Sequence, residues 1–296
     1  MHLSNATAAL AVSMLTLVGC AAEPQEDEPN NNSNNTGATT SGGSGPSSAG
    51  TGSTQGGSPS TNGGTPGASG SVSGGSGPVG MPSGNCAAVD PTGLISDFET
   101  GMAEVAVTAG RDGSWFLYND GTGTQMPVKI PNTPLAAEAG GACSSAFAFH
   151  TTGTGFTVWG AGLGTDFAPK SGEARTLYDL SAYSGIALRA KAAATTPVRV
   201  SISDINTAPE GLICEDTTDN TNPARCGDYF GAELTVGAEF ADFTIKFSDM
   251  KQRGWGLPVA AGFDKTKAYT LRMQVKGSAQ APANFDLWFD DIRLVP

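Results

Sequence analysis

The aromatic residues of this chain are confined to its C-terminal part. Residues 3–85 contain no Phe, Tyr or Trp and no Lys or Arg, although the chain as a whole has 13 Phe, 5 Tyr and 4 Trp. Aromatic side chains supply much of the apolar area that a folded core buries. A hydrophobic core must therefore be built from residues 86–296, which suffice for one domain and are tight for two.

A short apolar stretch, residues 6–19, ends in Leu17-Val18-Gly19-Cys20. It is shorter than the roughly 18 residues that a membrane-spanning helix needs. An apolar segment that closes on small residues is typical of a cleaved export signal. Its ending resembles a bacterial lipobox, which implies that Cys20 is acylated and becomes the mature N-terminus. We therefore expect residues 1–20 to be a lipoprotein signal peptide; the alternative is an ordinary signal peptide with an incidental cysteine.

Residues 21–85 contain no Ile, Leu, Phe, Trp or Tyr and consist mostly of Gly, Ser, Thr, Asn and Pro. Such a segment cannot bury enough apolar surface to offset the entropy of ordering it, so the sequence predicts a disordered linker. Acylation of Cys20 would tether this linker to a membrane surface. If the sorting rule of the lipoproteins that this lipobox resembles applies, Ala21 instead of Asp after the cysteine favours the outer membrane. The predicted localisation is therefore an exported lipoprotein of the outer membrane or cell surface.

The chain is acidic, with 16 Lys+Arg against 28 Asp+Glu and a formal net charge of −12 at pH 7. Proteins that bind phosphate backbones cluster Lys and Arg on one surface. The charge balance therefore argues against nucleic acid and against polyanions in general.

Four cysteines remain once Cys20 is assigned to the lipid. An even number in an exported chain predicts disulfides, and four cysteines allow three pairings. Cys214 and Cys226 flank a short polar loop, which favours a local bridge and leaves Cys86 to pair with Cys143. The chain contains no Cys-x-x-Cys spacing, which argues against a zinc or redox site.

From residue 86 onward, apolar residues alternate with polar ones, as in strands that bury one face. The alternation is clearest in five segments, which are 186–190, 198–202, 243–247, 271–275 and 285–289. No segment keeps a period of 3.6 over three turns, so any helices should be short. The pattern predicts an all-β domain, an antiparallel β-sandwich or jelly roll.

The last strand changes parity. Phe285, Leu287 and Phe289 share one parity, whereas Ile292 and Leu294 have the other. Both sets can face the core only if a β-bulge falls near Asp290-Asp291.

Three segments resemble carbohydrate-binding modules with the galactose-binding-like jelly roll, family 11 among them. They are Ile95-Ser-Asp-Phe-Glu-Thr-Gly101, Tyr178-Asp-Leu-Ser-Ala-Tyr-Ser-Gly-Ile-Ala-Leu-Arg-Ala-Lys191 and Phe285-Asp-Leu-Trp-Phe-Asp-Asp-Ile-Arg-Leu294. The resemblance covers nearly all of residues 92–295. It implies a galactose-binding-like fold, a polysaccharide or cell-surface glycan as partner, and a non-catalytic role.

The same resemblance implies a structural Ca²⁺ where the first and last strands meet. On this chain the matching acids are Asp97, Glu99, Asp290 and Asp291. Ca²⁺ takes six to eight oxygen ligands, and clustered carboxylates repel one another without a cation.

Sugar recognition needs flat aromatic surfaces for pyranose rings and planar polar groups for hydroxyls. The candidate ligand-binding residues combine these two types; they are Trp115, Tyr118, Asn119, Asp120, Asp204, Asn206 and Trp255. Trp159 and Trp288 occupy strand-like positions and are expected in the core. The glycine-rich segment 160–164 has the wrong spacing for a dinucleotide loop.

The sequence thus predicts a membrane-anchored surface lipoprotein that presents a non-catalytic carbohydrate-binding β-sandwich. Two alternatives remain open, a glycan-active enzyme of the glycoside hydrolase type on the same sandwich, and a surface adhesin that binds another protein. His150 is the one histidine outside the predicted signal peptide, and a structural role is expected for it rather than a catalytic one.

Overall fold

The computed structural model describes residues 81–82, 90–128, 133–172 and 174–296. The predicted signal peptide, nearly all of the linker, Cys20 and Cys86 lie outside this part. Its secondary structure consists of strands and two 3-10 helices, η1 (Pro209–Gly211) and η2 (Phe247–Asp249). No helix among the described residues is long and apolar enough to cross a bilayer.

The strands in chain order are β1 (Met81–Pro82), β2 (Leu94–Ser96), β3 (Glu104–Thr108), β4 (Arg111–Ser114), β5 (Phe116–Asn119), β6 (Thr124–Met126), β7 (Glu138–Ala139), β8 (Phe147–Phe156), β9 (Ala161–Asp166), β10 (Gly185–Ala192), β11 (Thr196–Asp204), β12 (Phe230–Val236), β13 (Ala241–Lys246), β14 (Ala268–Val275) and β15 (Ala283–Val295). The prediction of an all-β domain is confirmed.

Two antiparallel sheets make up the sandwich. The larger sheet has the order β1-β13-β10-β15-β8-β6, with β2 paired to the C-terminal half of β15 and β7 paired to β8. The smaller sheet has the order β12-β11-β14-β9-β5, and β3 and β4 form a separate hairpin. Neighbouring strands are often distant in sequence, so the order of the sheets cannot be read from local pattern.

The alternating segments supply the core between the sheets. Val198, Val200 and Ile202 of β11 are buried in one cluster with Phe285, Leu287 and Phe289 of β15, and the other predicted segments join them. The one departure is Phe247, which lies in η2 rather than at the end of β13 and is buried nonetheless. Period-2 patterning thus identified the strands because one side of each strand faces this shared core.

The predicted bulge in the last strand is confirmed. On β10, Ala187 and Arg189 pair with Arg293 and Asp290 respectively, so three steps on β15 match two on β10. Asp291 has a φ of 46° at this point. The extra residue returns Ile292 and Leu294 to the core, where both are buried.

A disulfide joins Cys214 and Cys226, with their Cα atoms 5.1 Å apart, which confirms the predicted local bridge. Cys143 is also disulfide-bonded. Its predicted partner, Cys86, lies outside the described residues, so that pairing stays a prediction.

Candidate ligand-binding face

The side of the smaller sheet that faces away from the core carries two rows of side chains across its five strands. In the first row, strand register aligns Glu233, Arg199, Gln274, Gly162 and Tyr118. In the second row, it aligns Gly231, Ser201, Arg272, Gly164 and Phe116. We call the surface formed by these two rows, together with Trp159, Tyr229 and Trp255 beside them, the outer sheet face.

Two glycines of β9 leave room for aromatic rings on the outer sheet face. A Cβ atom at Gly162 would lie 2.7 Å from the Tyr118 ring, and one at Gly164 would lie 2.9 Å from the Phe116 ring. The rings of Tyr118 and Phe116 therefore extend from β5 across β9. The Tyr118 hydroxyl reaches β14, where it donates a hydrogen bond of 3.4 Å to the Met273 carbonyl. The glycine-rich segment is a strand that supports these rings, in agreement with the rejection of a nucleotide loop.

A continuous stack of flat groups crosses the strands of the outer sheet face. The Trp159 ring stacks on Tyr118 with centroids 6.0 Å apart and planes inclined by 27°. The Arg272 guanidinium lies between two tyrosines, 5.1 Å from the Tyr118 centroid and 4.8 Å from the Tyr229 centroid. Trp159 is 41% exposed, so the stack presents flat aromatic surface to solvent at that end.

Trp255 lies near the other end of this stack, on a turn that the buried Asp228 carboxylate holds in place. Asp228 accepts backbone hydrogen bonds from Arg253, Gly254, Trp255 and Gly256, at 2.7–3.4 Å. The Arg225 guanidinium lies 4.3 Å from the Trp255 ring centroid. Trp255 and Tyr229 line the same shallow depression, together with Arg199, Ser201, Gly227, Asp228, Arg253 and Gln274.

The disulfide contributes to this end of the face. Arg225 directly precedes the bridged Cys226. Its guanidinium lies over the Trp255 ring and donates a hydrogen bond to the Trp255 carbonyl. Gly227 follows Cys226, and a Cβ atom there would lie 3.1 Å from the Trp255 ring. The bridge therefore anchors the segment against which the tryptophan packs.

Arginines dominate the polar groups of the outer sheet face. Arg199 and Arg253 share one carboxylate, that of Glu233, at 3.3 and 2.6 Å. Burial, reinforced by the neighbouring Arg253, lowers the pKa of Arg199. Burial also raises the pKa of Tyr118 above its ordinary value, which keeps this hydroxyl neutral. At the margin of the face, Arg175 is paired with Asp166 and Glu210.

The structure places only some of the predicted ligand-binding residues on this face. Tyr118 and Trp255 belong to it. Asn119 is exposed at the end of β5, where its side chain contacts Gln125 and the Gly121 amide. Asp120 accepts hydrogen bonds from Val158 and Gly160, so it positions the turn that carries Trp159.

The expectations for Trp115 and Asp204 are wrong. Trp115 is 3% exposed in the core, where its Nε1 donates to the Ser96 hydroxyl at 2.8 Å. Asp204 is fully buried, and its carboxylate accepts hydrogen bonds from Thr207 and from the Asp264 amide. Asn206 is half-buried and donates to the same carboxylate. These groups close a loop and do not meet a ligand on the outer sheet face.

The sequence analysis missed most members of the face, among them Trp159, Tyr229 and Arg272. Trp159 was expected in the core but lies in the exposed turn between β8 and β9. Arg272 occupies a polar position of the alternating segment 271–275, yet nothing local reveals which rings flank it. Gly162 and Gly164 could have indicated this face from the sequence. They lie on one side of a strand, and a strand face without side chains leaves room for large rings.

Trp288 was also expected in the core, and this is wrong as well. It is half-buried on the outward side of the larger sheet, where it stacks on His150 with centroids 4.1 Å apart. His150 Nδ1 lies 3.0 Å from Glu138 and its Nε2 lies 2.9 Å from Asp286. Both ring nitrogens thus have partners, as expected of a structural histidine.

The four acids of the predicted calcium site lie near the pairing of β2 with β15, but their oxygens contact protein donors. Asp291 is ion-paired with Arg189, Asp290 accepts from the Ala142 amide at 2.7 Å, and Glu99 accepts from two backbone amides. Burial raises the pKa of Asp290 to about 7. The described residues contain no group of three or more acidic, histidine or cysteine side chains arranged to hold a metal. Calcium binding stays a prediction that this donor set does not favour.

No protein-family model matches the chain, and no curated protein matches it. Among solved structures, it is similar to a family 11 carbohydrate-binding module from Clostridium thermocellum in complex with a β-1,3-1,4-mixed-linked tetrasaccharide. The TM-score is 0.42 and the identity 12%, over 69% of this chain and 94% of that chain. A family 30 carbohydrate-binding module gives 0.39 and 13%, over 61% of this chain and 80% of that chain. At these scores the comparisons assign no function.

Proposed function

We propose that the outer sheet face binds a polysaccharide without cleaving it. The observation that carries this proposal is the stack of Trp159, Tyr118, Arg272 and Tyr229 across the strands. Pyranose rings have apolar C–H faces that pack on flat aromatic groups, and their hydroxyls pair with planar donors such as Arg and Gln. A row of such groups on an open surface suits an extended chain of sugars.

The acids of the face favour binding over hydrolysis. A glycosidase uses two carboxylates, one as an acid and one as a base or nucleophile. Here Glu233 is held by two arginines, Asp166 and Glu210 are both ion-paired with Arg175, and Asp228 is engaged by four backbone amides. Each carboxylate therefore already has a structural partner. A glycan-active enzyme remains the second candidate, on the ground that Asp166 and Glu210 lie at the margin of the face.

Trp159→Ala tests the proposal by affinity electrophoresis of the full-length protein through gels containing different polysaccharides. Loss of one exposed stacking ring should weaken binding by about 1–1.5 kcal/mol, or roughly tenfold. The matched control is Trp288→Ala, which removes a tryptophan from the outward side of the opposite sheet. It should bind as the wild type does, provided that its circular dichroism is unchanged.

Three results would count against the proposal. If the Trp159 variant is retarded as much as the wild type, the glycan-binding site lies elsewhere on the protein. Release of reducing sugars from a bound polysaccharide would favour the enzyme. Failure to bind any glycan would favour the protein-binding adhesin.

We further propose that the domain is held at the outer membrane or cell surface through acylated Cys20, with residues 21–85 as the tether. The support is the lipobox-like Leu17-Val18-Gly19-Cys20 before a segment that lacks aromatic and branched apolar residues except Val. Cys20→Ser should move the protein from the membrane fraction to the soluble fraction. Unchanged partitioning and unchanged mass would refute the lipid anchor.

A further inference from the structure

Arg272 differs from the other arginines of the outer sheet face in having no acceptor. Within the described ranges its guanidinium makes no hydrogen bond and no ion pair, and its contacts are with the rings of Tyr118 and Tyr229. Its Nε is buried without a partner, whereas the two terminal nitrogens, which also donate to no acceptor among the described residues, are not buried. A buried or half-buried charge ordinarily has a counter-ion, because desolvation without one is costly.

The neighbouring arginines show what ordinary pairing looks like on this surface. Arg199 donates to Glu233 and to two backbone carbonyls, and Arg253 donates to the same Glu233. Arg225 donates to Asn220 and to the Trp255 carbonyl. Of these four arginines, Arg272 is the one whose accessible donors have no acceptor among the described residues, and two tyrosine rings lie 5.1 and 4.8 Å from its guanidinium carbon.

The charge around Arg272 is also out of balance. Arg199, Arg253 and Arg272 carry three positive charges, whereas the carboxylates of Glu233 and Asp228 supply two negative charges. This surplus of positive charge lies in a chain whose formal net charge is −12. The formal net charge of the whole chain therefore does not describe this part of the surface and does not exclude an anionic ligand there.

We infer that the outer sheet face selects an acidic polysaccharide, one that places an anionic group of a sugar unit at Arg272. Two tyrosine rings pack against the guanidinium, at 5.1 and 4.8 Å from its central carbon. A guanidinium presents paired donors that match the geometry of a carboxylate or sulfate. The adjacent aromatic surfaces would hold the sugar rings on either side. This inference rests on the proposed polysaccharide-binding function and specifies the class of ligand.

Two matched pairs of polymers test the inference, each differing only in charge. The first is polygalacturonate against its methyl ester, and the second is dextran sulfate against dextran, so that within each pair the sugar backbone is the same and the anionic group is masked or missing in one member. The full-length protein should bind at least one acidic member tenfold or more tightly than its neutral counterpart. The comparison of Arg272→Gln with the wild type then separates a contact at Arg272 from general attraction to the other arginines of this surface. The pair that shows it identifies the anionic group as carboxylate or sulfate.

Arg272→Gln should reduce the preference to less than threefold, because the loss of affinity should be larger for the acidic member of a pair than for the neutral one. The control is Lys246→Gln, which removes one positive charge from an exposed position of the opposite sheet. It should retain the full preference. Thermal melts of both variants check that the fold is intact.

The outcomes separate this inference from the function on which it rests. Equal or tighter binding of the neutral members, or binding only to neutral glycans elsewhere in a panel, overturns the acidic ligand and leaves polysaccharide binding standing. A preference that survives Arg272→Gln overturns the assignment to this residue. Binding to no polysaccharide at all overturns both proposals.

Discussion

Arg189 and Arg272 lie on the outward sides of opposite sheets, and they differ in whether carboxylates of the described residues neutralise their charge. Arg189 of β10 has a side chain that is 4% exposed, and it is paired with Asp242 at 3.0 Å and with Asp291. Arg272 of β14 is held by two tyrosine rings, and the described part of the chain offers it no carboxylate. Arg189 therefore forms two ion pairs within the fold, whereas the terminal nitrogens of Arg272 have no acceptor among the described residues.

This difference extends to the surroundings of each arginine. Arg189 lies beside the bulge of β15, where Asp291 adopts a φ of 46° and where β2 joins the sheet. Arg272 lies opposite Gly164 of β9, where the absence of a side chain leaves the strand to be covered by rings. Arg189 is therefore neutralised within the fold, whereas the donors of Arg272 are available for the ligand that we propose.

The largest effect is expected for Arg189→Met. Removing one partner of a buried ion pair leaves Asp291 charged and unpaired, which should lower the free energy of unfolding by about 3–5 kcal/mol. Chemical denaturation followed by tryptophan fluorescence measures this. The double variant Arg189→Met/Asp291→Asn should recover part of the loss, because it removes the unpaired charge and because asparagine tolerates a positive φ. A loss of less than 1 kcal/mol in the single variant would mean that this ion pair does not stabilise the region around the β15 bulge.

A smaller effect on stability is expected for Arg272→Gln. The substitution removes two cation–π contacts and no ion pair, so the free energy of unfolding should fall by about 1 kcal/mol or less. The same denaturation experiment compares it directly with Arg189→Met. A loss as large as that of Arg189→Met would make Arg272 a structural residue and would remove the contrast between the two sheets.

The smallest effect is expected on removal of calcium. The resemblance to carbohydrate-binding modules predicts a Ca²⁺ at Asp97, Glu99, Asp290 and Asp291, which would stabilise the protein by about 2.7 kcal/mol at a hundredfold excess over Kd. Since Arg189 already neutralises Asp291, we expect the melting temperature to be the same in chelator and in millimolar Ca²⁺. A melting temperature that falls in chelator and recovers with Ca²⁺, but not in Asp291→Ala, would establish the metal site instead.

Much of the fold follows from the sequence because parity is a local property. The alternation over 198–202 and 271–275 places one set of side chains in the core, and the parity change after Phe289 required the bulge that the structure contains. The same reasoning, applied to residues 115–118, puts Trp115 and Leu117 on the inner side and leaves Phe116 and Tyr118 on the outer side. Residue type alone suggests that Trp115 contacts a ligand, whereas its position in the alternation places it in the core.

The outer sheet face was harder to predict because its composition depends on the order of the strands. Tyr118 and Tyr229 are far apart in sequence, and they meet across Arg272 only because β14 lies between β11 and β9. Trp159 belongs to a turn, where strand parity does not apply. Asp204 and Asp120 are polar residues next to strand ends, and such residues serve loop closure as readily as ligand binding.

Hydroxyl-radical footprinting of the full-length protein, with and without a polysaccharide that it retains, tests the central claim most directly. If the outer sheet face binds the glycan, oxidation of Trp159 and Trp255 should fall several-fold at saturating polymer, and oxidation of Trp288 on the opposite sheet should be unchanged. Protection of Trp288 with no protection of Trp159 or Trp255 would contradict the account, because it would place the glycan on the sheet where the arginine is already paired.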